Sequence, residues 1–311
     1  MPQVTREQIE AIWRMHVLGT VASVVPMASG SRNETYLVND ASVLRVNTRD
    51  GQFAKFRNES LAYDLLTGSG LPVPRVVSLD ESRRLLPYDY MVVTRLPGSN
   101  LRESWQSFDA AQLSRLAWEA GRALARLHGI TLAGFGPLHR LADRPFGTWH
   151  EYFHDYAGRY LARARERGVL DDDLHARLVA VLDRESPLLA RVTTGVLVHS
   201  DYHYENILQT GGTLSGLLDF EWALSGDPAF DFVAGDVREA MIPGSEAHFV
   251  AGYTTVRFLD TEHGRRVPLY RLFALVEAAA TRAMQNETDE IHAARLQIAD
   301  ALVAIEHNTT R

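Results

Sequence analysis

The segment LVHSDYHYENIL, residues 197–208, concentrates two histidines, an aspartate, a glutamate and an asparagine in one short stretch. It supports two interpretations. His199, Asp201 and His203 alternate along the chain in the manner of ligands for a transition-metal ion. His199, Asp201 and Asn206 have instead the spacing of a catalytic loop in an enzyme that transfers phosphoryl groups. The residues around the segment have to decide between a metal-dependent hydrolase and a phosphotransferase.

Apolar segments on both sides of the loop predict a small β-rich region. VLV precedes the loop, ILQT follows it, and a Gly-Gly turn leads into TLSGLLDF. In the resulting hairpin, Asp219 ends the second strand beside Asn206, which starts the first. Asp201 belongs to the same loop, so we expect the three side chains to converge. Such oxygen groups suit Mg²⁺ bound to nucleotide phosphates, with one carboxylate left to deprotonate an attacking hydroxyl.

The spacing His-x-Asp-x4-Asn, followed thirteen residues later by the first aspartate of LLDFEWALSGDPAFD, resembles the aminoglycoside phosphotransferase family. That family shares a bilobal fold with the protein kinases and contains kinases for antibiotics and other small molecules. The resemblance implies that Asp201 is the catalytic base, that Asn206 and Asp219 hold the metal ion, and that Asp231 supports the catalytic loop. Ser200 departs from the family, which usually has glycine at this position.

A change in the apolar pattern near residue 97 divides the chain. Before it, β-type segments such as SVLRV are mixed with two helical patterns. One of these, KFRNESLAYDLL, predicts a helix whose apolar face holds Phe56, Leu61, Leu65 and Leu66. After the connector PGSN, helical periodicity dominates. With the resemblance, this predicts an α+β, bilobal, protein-kinase-like fold. A small nucleotide-binding lobe with an antiparallel sheet covers residues 1–96, and a larger, mainly helical catalytic and substrate-binding lobe covers residues 97–311.

The resemblance also implies a nucleotide site in the N-terminal lobe. ASGSRNETYLV, residues 28–38, matches a nucleotide-positioning loop in which small residues such as Ser31 let the backbone approach the phosphates. Arg45 stands where kinases carry a strand lysine that grips the α- and β-phosphates, and Glu59 is its expected ion-pair partner. Arginine keeps the charge there but presents a planar fork. Lys55 remains a competing phosphate contact.

The segment YMVVTRLPG, residues 90–98, resembles the hinge between the two lobes. There the backbone groups of Thr94 and Leu96 are expected to hydrogen-bond the adenine edge of the nucleotide. Because these are backbone contacts, the side chains of the segment carry little information about the nucleotide.

Each assignment has a structural alternative. Asp201 and Asn206 are also residue types that stabilise turns by bonding to the backbone, although Asp219 downstream favours catalysis. His199 is expected to anchor the loop, because phosphoryl transfer already has its base and its metal ligands. Glu221 is expected either to contact a metal-bound water or to cap local backbone.

Composition excludes several classes of protein. The 311-residue chain is 46% hydrophobic and 23% charged, an ordinary globular composition, and has no cysteine. Disulfides, cysteine-ligated zinc and a thiol nucleophile are therefore excluded. The N-terminus lacks the apolar core of a signal peptide and no run of about 18 apolar residues occurs, so a cytoplasmic protein without a membrane partner is expected. The net charge of -7 argues against a nucleic-acid partner and is compatible with a cationic substrate.

Together these features predict a kinase that uses ATP or GTP and Mg²⁺ to phosphorylate a hydroxyl group of a small molecule. Glu277, Asp289 and Glu290 offer negative charge in the C-terminal helices. A cationic antibiotic, such as an aminoglycoside or a hygromycin-like compound, is therefore the first expectation, with antibiotic resistance as the role. Relatives acting on choline, sugars or amino alcohols have the same motifs, so a metabolite kinase is the alternative. A catalytically inactive kinase-like binding protein is a further alternative, which the presence of all three predicted catalytic residues disfavours.

Overall fold

The computed structural model describes residues 4–27, 33–48, 54–284 and 291–308. The chain forms two compact units, each assembled from separate stretches. The first unit contains Met1–Leu127, His203–Ala223 and Arg238–Val256, and the second contains His128–Tyr202, Leu224–Val237 and Arg257–Arg311. The chain therefore passes from the second unit to the first between Tyr202 and His203, inside the predicted catalytic loop.

The strands of the described residues are short. They are β1 (Val24–Met27), β2 (Glu34–Val38), β3 (Ser42–Val46), β4 (Val76–Asp80), β5 (Tyr90–Thr94), β6 (Ser99–Asn100), β7 (Thr131–Leu132), β8 (Gly136–Pro137), β9 (Gly195–Val198), β10 (Ile207–Thr210), β11 (Thr213–Leu217) and β12 (Leu224–Gly226).

Helices make up most of the remaining regular structure. They are α1 (Arg6–Met15), α2 (Lys55–Leu66), α3 (Leu101–Ser104), α4 (Ala110–Leu127), α5 (Leu138–Leu141), α6 (Trp149–Glu166), α7 (Asp172–Arg184), α8 (Ser186–Leu189), α9 (Gly235–Met241), α10 (Ser245–Thr254), α11 (His263–Met284) and α12 (Ile291–Asn308). Short 3₁₀ helices cover Trp105–Ser107, Tyr204–Asn206 and Pro228–Ala234.

The first unit is built on a five-stranded antiparallel sheet with the order β1-β2-β3-β5-β4. Helix α1 starts at a capping box, in which Thr5 and Gln8 each bond a backbone N–H of the other. Ile9, Ile12 and Trp13 lie on one face of this helix and are buried in a common core with residues of β2, β3 and β5. The sheet lies wholly before residue 97, as predicted.

Helix α2 buries only part of the predicted apolar face. Phe56 and Leu66 are buried as predicted, but Leu61 and Leu65 are exposed. The buried face also carries three polar residues, Lys55, Asn58 and Glu59. Buried polar side chains need hydrogen-bond partners, and the partners of these three lie in the candidate site described below. The apolar pattern could not reveal a helix face that is buried for its polar contacts.

The rest of the first unit joins a small sheet to a pair of helices. The sheet has the order β11-β10-β6 and is antiparallel. Helices α4 and α10 cross closely at Gly121 and Gly252, where a side chain on either glycine would clash with the backbone of the other helix. Through β6, residues just after the predicted hinge are paired with the hairpin that follows the predicted catalytic loop.

The second unit contains a four-stranded sheet with the order β7-β9-β12-β8. Strand β12 runs antiparallel to both of its neighbours, β9 and β8. Strands β8 and β9 are therefore parallel to each other and end at the same edge of the sheet, where Pro137 and Val198 both pair with Leu224. The predicted catalytic loop starts at this edge.

Aromatic residues dominate the core of the second unit. Trp149 on α6 donates its indole N–H to the hydroxyl of Tyr270 on α11 at 2.7 Å, and the ring of Phe153 lies 4.9 Å from that of Tyr270. Phe230 and Phe273 continue the cluster, which also takes in apolar residues of α7 and α12. Large rings in edge contact bury much apolar surface, so this cluster is the main hydrophobic core of the second unit.

The antiparallel sheet before residue 97 and the mainly helical chain after it confirm the predicted α+β class. The lobe boundary at residues 96 and 97 stays a prediction, because the first compact unit combines that sheet with later parts of the chain. Within the described ranges, none of the helices has the length and apolar character needed to cross a lipid bilayer.

Candidate active site

Asp231 holds the start of the predicted catalytic loop in the second unit. Its Oδ2 accepts the N–H of His199 at 2.8 Å and its Oδ1 accepts the N–H of Ser200 at 2.7 Å. The ring Nε2 of His128 lies 2.9 Å from the same Oδ2. Asp231 is buried, and a hydrogen bond to a charged group contributes about 1.5–3 kcal/mol. The support for the loop that the resemblance implied is confirmed.

His199 anchors this loop. It is buried, and its Nδ1 accepts the N–H of Asp201 at 3.3 Å. His203 acts similarly in the first unit, where its Nδ1 accepts the N–H of Glu205 at 3.2 Å. Among the described residues, no three His, Cys, Asp or Glu side chains are grouped as a metal ion requires. The loop-anchoring interpretation of His199 is confirmed, and the chelating-arm interpretation gains no support from this part of the chain.

Ser200 adopts a left-handed backbone conformation, with φ of 68°. For a residue with a side chain this conformation costs roughly 1–2 kcal/mol. Its hydroxyl is buried and has no hydrogen-bond partner within the described ranges. Glycine would avoid both costs. Here the two bonds to Asp231 hold the strained backbone in place.

In the first unit, the β10–β11 hairpin brings the two predicted metal ligands to one end. Ile207 pairs with Leu217, and the N–H of Leu218 donates to the carbonyl of Asn206 at 2.9 Å. Asn206 therefore precedes one strand at the point where Asp219 follows the other, as the sequence predicted. Their amide and carboxylate oxygens fit Mg²⁺, which takes few protein ligands and keeps several waters.

Arg45 links Asp219 to helix α2. Its Nη1 lies 2.5 Å from both carboxylate oxygens of Glu59, and its Nη2 lies 3.0 Å from Oδ1 of Asp219. Tyr63 donates its hydroxyl to Oε1 of Glu59 at 2.6 Å. Glu59 is fully buried. The predicted pairing of Arg45 with Glu59 is confirmed, and it is an interior pair rather than an exposed one.

Burial sets the electrostatics of this network. Removal from water raises the pKa of the Glu59 carboxyl to about 7, while Arg45 opposes the shift. Burial also disfavours the charged form of Arg45, but Glu59 and Asp219 outweigh it and raise the pKa of Arg45 well above its ordinary value. Arg45 is thus a permanent cation in contact with Asp219.

Lys55, the competing candidate for the phosphate contact, is engaged elsewhere. It is 3% exposed, and its Nζ lies 3.1 Å from Oε1 of Glu221 and 4.9 Å from a ring centre of Trp222. Asn58 donates to main-chain carbonyls of the same segment. The polar face of α2 therefore holds the segment from Glu221 to Ala223, just after Asp219, by hydrogen bonds and an ion pair.

Glu221 makes a contact that neither of its expected roles included. Its Oε1 contacts Lys55, while its Oε2 is buried with no hydrogen-bond partner in the part of the chain that the structure describes. Burial raises the pKa of this carboxyl, and the charge of Asp219 raises it further. The side chain thus pairs with a lysine rather than capping backbone, and contact with a metal-bound water stays a prediction.

The other predicted nucleotide contacts stay predictions as well. Ser31 lies outside the described residues. Thr94 ends β5, and its N–H donates to the carbonyl of Arg75 at 2.9 Å, so this amide is already used within the first unit. Leu96 lies against Gly216 of β11, at a point where a larger residue would touch its side chain.

Sequence patterns missed a buried polar network in the second unit. Asp227 caps the 3₁₀ helix that starts at Pro228, accepting the N–H of Ala229 at 3.0 Å. Its other oxygen lies 2.6 Å from Nε of Arg266 and accepts the hydroxyl of Tyr270 at 2.6 Å. An Asp-Pro pair is typical of a helix start, but the other partners of Asp227 lie far along the chain and no local pattern indicates them.

The chain matches a known family over most of its length. The model of the phosphotransferase enzyme family, APH, matches residues 23–266. The chain belongs to this family. The phosphotransferase is therefore a small-molecule kinase with a hydroxyl group as its acceptor, as the sequence predicted.

Two relatives of this phosphotransferase carry different names. The hygromycin-B 4-O-kinase of Escherichia coli is 25% identical over 235 residues, a match that covers 74% of this chain and 66% of that protein. The homoserine kinase of Gluconobacter oxydans (strain 621H) is 27% identical over 312 residues, which cover 90% of this chain and 88% of that protein. The chain thus spans just under two thirds of the first relative and most of the second.

Solved structures show the same fold. A ternary complex of a thermostable aminoglycoside phosphotransferase APH(4)-Ia variant with AMP-PNP and hygromycin B has a TM-score of 0.71 to this structure at 20% identity, covering 95% of this chain and 98% of that one. Other structures with TM-scores of 0.70 contain ADP, ATP or GDP. The predicted protein-kinase-like fold is confirmed.

Proposed function

We propose that this phosphotransferase moves the γ-phosphate of ATP or GTP, with Mg²⁺, to a hydroxyl group of a small molecule that also carries an ammonium group. One observation supports this most: Arg45, paired with buried Glu59, contacts Asp219 at the end of the hairpin that begins beside Asn206. A permanent cation and two oxygen ligands in one place are what nucleotide phosphates and their metal ion require.

In this scheme Asn206 and Asp219 hold Mg²⁺, which when bound neutralises charge on the phosphates. Arg45 binds the α- and β-phosphates as a donor fork. Glu59 fixes the direction of that fork, because it holds Nη1 while Nη2 points to Asp219. The side chain that grips the nucleotide is thus oriented before the nucleotide arrives.

The remaining nucleotide contacts come from backbone groups. The loop containing Ser31 binds the phosphates, and the segment containing Thr94 and Leu96 binds the adenine or guanine edge. The small side chain of Ser31 suits a backbone that approaches phosphate oxygens closely.

Asp201 is the base. The acceptor hydroxyl gives its proton to Asp201 as its oxygen bonds to the γ-phosphorus, and the bond to the β-phosphate oxygen breaks so that the nucleoside diphosphate leaves. His199 and Asp231 fix the backbone on which Asp201 sits. Such positioning supplies most of the catalysis in phosphoryl transfer.

Glu277 supports an acceptor with an ammonium group. Its carboxylate accepts the hydroxyls of Tyr156 and Tyr160 on α6. Cations bind favourably over aromatic rings, and a carboxylate among such rings adds a full opposite charge. Asp289 and Glu290, which were expected to add further negative charge, lie outside the described residues.

Two classes of acceptor meet this description. The hygromycin-B kinase relative favours a cationic antibiotic, with resistance as the role. The homoserine kinase relative, whose match covers more of both chains, favours an amino alcohol of metabolism. Both classes combine an ammonium group with a hydroxyl group.

A coupled assay of ADP or GDP release tests the proposal. The purified chain receives ATP or GTP with Mg²⁺ and, in separate reactions, hygromycin B, kanamycin, choline or L-homoserine. We expect nucleoside diphosphate release that depends on an acceptor from one class, and mass spectrometry should find one added phosphate on that acceptor. Absence of acceptor-dependent release with both nucleotides and every compound would contradict the proposal. Growth protection of a host on antibiotic would then separate resistance from metabolism.

A further inference from the structure

A groove with basic side chains lies on the second unit, outside the residues assigned so far. It is an open groove with a volume of about 630 Å³. Its lining comes from α5 and the segment between α5 and α6, and consists of His139, Arg140, Asp143, Arg144, Pro145 and Phe146. We call this the basic groove.

The segment that forms the basic groove is fixed by backbone contacts. Phe135 and Phe146 exchange two backbone hydrogen bonds of 3.1 and 3.0 Å, which close the segment at its base. The N–H of Arg144 donates to the carbonyl of Arg140 at 2.8 Å. Gly134, with φ of 73°, lies so close to Pro145 that a side chain on it would clash. The two arginines therefore project from a defined turn.

The charge of the basic groove is not neutralised. Arg140 and Arg144 are exposed and make no ion pair with the described part of the chain. Arg165 and Arg177 of the same unit, by contrast, both pair with carboxylates. Asp143 is the single acidic residue in the lining, against two arginines and a histidine. A net positive groove in a chain of charge -7 fits the binding of an anion, and arginine forks match carboxylates and phosphates.

Sheet topology places the basic groove near the proposed base. Strands β8 and β9 end at the same sheet edge with β12 between them. Helix α5 follows β8, and the loop that carries Asp201 follows β9. Since neighbouring strands lie about 4.8 Å apart, these two segments leave the sheet roughly 10 Å from each other. A small acceptor can therefore place one end in the groove and its hydroxyl near Asp201.

A row of aromatic rings connects the basic groove with Glu277. The ring centre of Phe146 lies 5.5 Å from that of Tyr152, which lies 6.3 Å from that of Tyr156. Tyr156 donates its hydroxyl to Glu277. Tyr152 and Tyr156 are buried, so this row belongs to the core and supports Phe146 in the lining of the groove.

We propose that the basic groove binds an anionic group of the acceptor, a carboxylate or a phosphate, through Arg140 and Arg144. The acceptor then carries an anionic group besides the hydroxyl that faces Asp201, and is not a polycationic antibiotic. Because this names the acceptor class of the proposed kinase, it rests on that function.

The first test measures anion binding without turnover. With the nucleotide site of the full chain saturated by AMP-PNP and Mg²⁺, inorganic phosphate is titrated by calorimetry into the wild type, Arg140→Ala, Arg144→Ala and the double variant. We expect saturable binding that each substitution weakens about tenfold and the double substitution about a hundredfold. Arg167→Ala, which removes an exposed arginine outside the groove, should bind phosphate like the wild type. All variants should melt like the wild type, because the replaced side chains are exposed.

The second test identifies the source of the charge with matched pairs of compounds. L-Homoserine is compared with L-homoserinol, which lacks the carboxylate, and glycerol 3-phosphate is compared with glycerol. We expect the charged member of one pair to bind at least about tenfold more tightly, and that pair names the group as carboxylate or phosphate. No saturable phosphate binding by the wild type, equal binding by the double variant, or equal affinities within both pairs would overturn the inference.

Turnover separates this inference from the proposed kinase function. Anion binding that depends on Arg140 and Arg144, without nucleoside diphosphate release for any acceptor, would contradict the kinase and leave the groove as an anion site. Phosphorylation of hygromycin B with the same kcat/KM in the wild type and the double variant would support the kinase and overturn the groove as part of its acceptor site.

Discussion

Each compact unit contains an arginine, partly buried in the first and buried in the second, that is held between two acidic side chains. These are Arg45 between Glu59 and Asp219 in the first unit, and Arg266 between Asp227 and Asp260 in the second. The two networks use the same residue types and similar distances. They differ in how each network ends.

Asp219 has a left-handed backbone, with φ of 64°, and its side chain is 35% exposed. Asp227 has extended backbone and is buried. It accepts the hydroxyl of Tyr270, which in turn accepts the indole N–H of Trp149 in the aromatic core. Backbone strain is found at functional sites, whereas buried polar groups that are joined to the core stabilise a fold. The comparison therefore assigns chemistry to the first network and structure to the second.

The largest effect is expected for Asp219→Ala. The variant loses a proposed metal ligand while Arg45 keeps Glu59, so kcat/KM should fall about 10³-fold and metal-dependent nucleotide binding should be lost. The free energy of unfolding should change by about 1 kcal/mol or less, because the lost pair is partly exposed. Turnover and chemical denaturation measure the two quantities. Full turnover by this variant would show that the network around Arg45 has no role in the chemistry.

Asp227→Ala should show the opposite pattern. Arg266 stays buried with only an exposed partner, Asp260, and Tyr270 loses its acceptor, so the free energy of unfolding should fall by about 3–5 kcal/mol. The folded fraction should keep a kcat close to that of the wild type. Asp236→Ala, at an exposed position in α9 of the same unit, serves as the control. A stability equal to that of the control variant would show that the second network does not hold the fold.

The pH dependence of the free energy of unfolding tests how burial affects the carboxyl group of Glu59. Its pKa is about 7 in the folded protein and 4.5 as an ordinary carboxyl, so the folded state binds this proton more tightly. The resulting stabilisation is complete below pH 4.5 and is lost as the pH rises through 7, by on the order of 3 kcal/mol. Relative to that of Glu59→Gln, the free energy of unfolding of the wild type should fall by this amount as the pH rises from 4.5 through 7. Parallel stability curves for the two proteins would show that burial does not favour the protonated form of Glu59 over the ion pair with Arg45.

The smallest effect is expected for Ser200→Gly. Glycine removes both the left-handed strain and the buried hydroxyl, so the free energy of unfolding should rise by about 1 kcal/mol. Ser186→Gly, which places glycine at the start of helix α8, should be destabilising instead. Thermal unfolding of the two variants tests this, and a loss of stability in Ser200→Gly would show that the serine is not strained.

Local spacing was enough to predict the hairpin and the loop. The Gly-Gly turn between two short apolar segments predicts the hairpin, while a register shift between Leu208 and Gln209, which the turn does not predict, sets the pairing of Ile207 with Leu217. His199 and Asp231 could be assigned because the motif spacing resembles that of a known family. The fold class followed from the same information.

Most buried polar contacts could not be predicted, although the resemblance supplied the pairing of Glu59 with Arg45. The partners of Lys55 and Asn58 lie more than a hundred residues away along the chain, and no periodic pattern records such partners. The contact of Asp227 with Arg266 and the basic charge at Arg140 were missed for the same reason. They depend on which side chains the fold brings together and which it leaves without a counter-charge.

The central claim is that Asp201 is the base of a phosphoryl transfer, and Asp201→Asn tests it most directly. With the acceptor found in the release assay, kcat should fall about 10²–10⁴-fold, while the Kd for ATP or GTP with Mg²⁺ stays within about twofold of the wild type. The asparagine keeps the size of the side chain and removes the carboxylate. A variant that binds nucleotide and keeps the wild-type kcat would contradict the assignment.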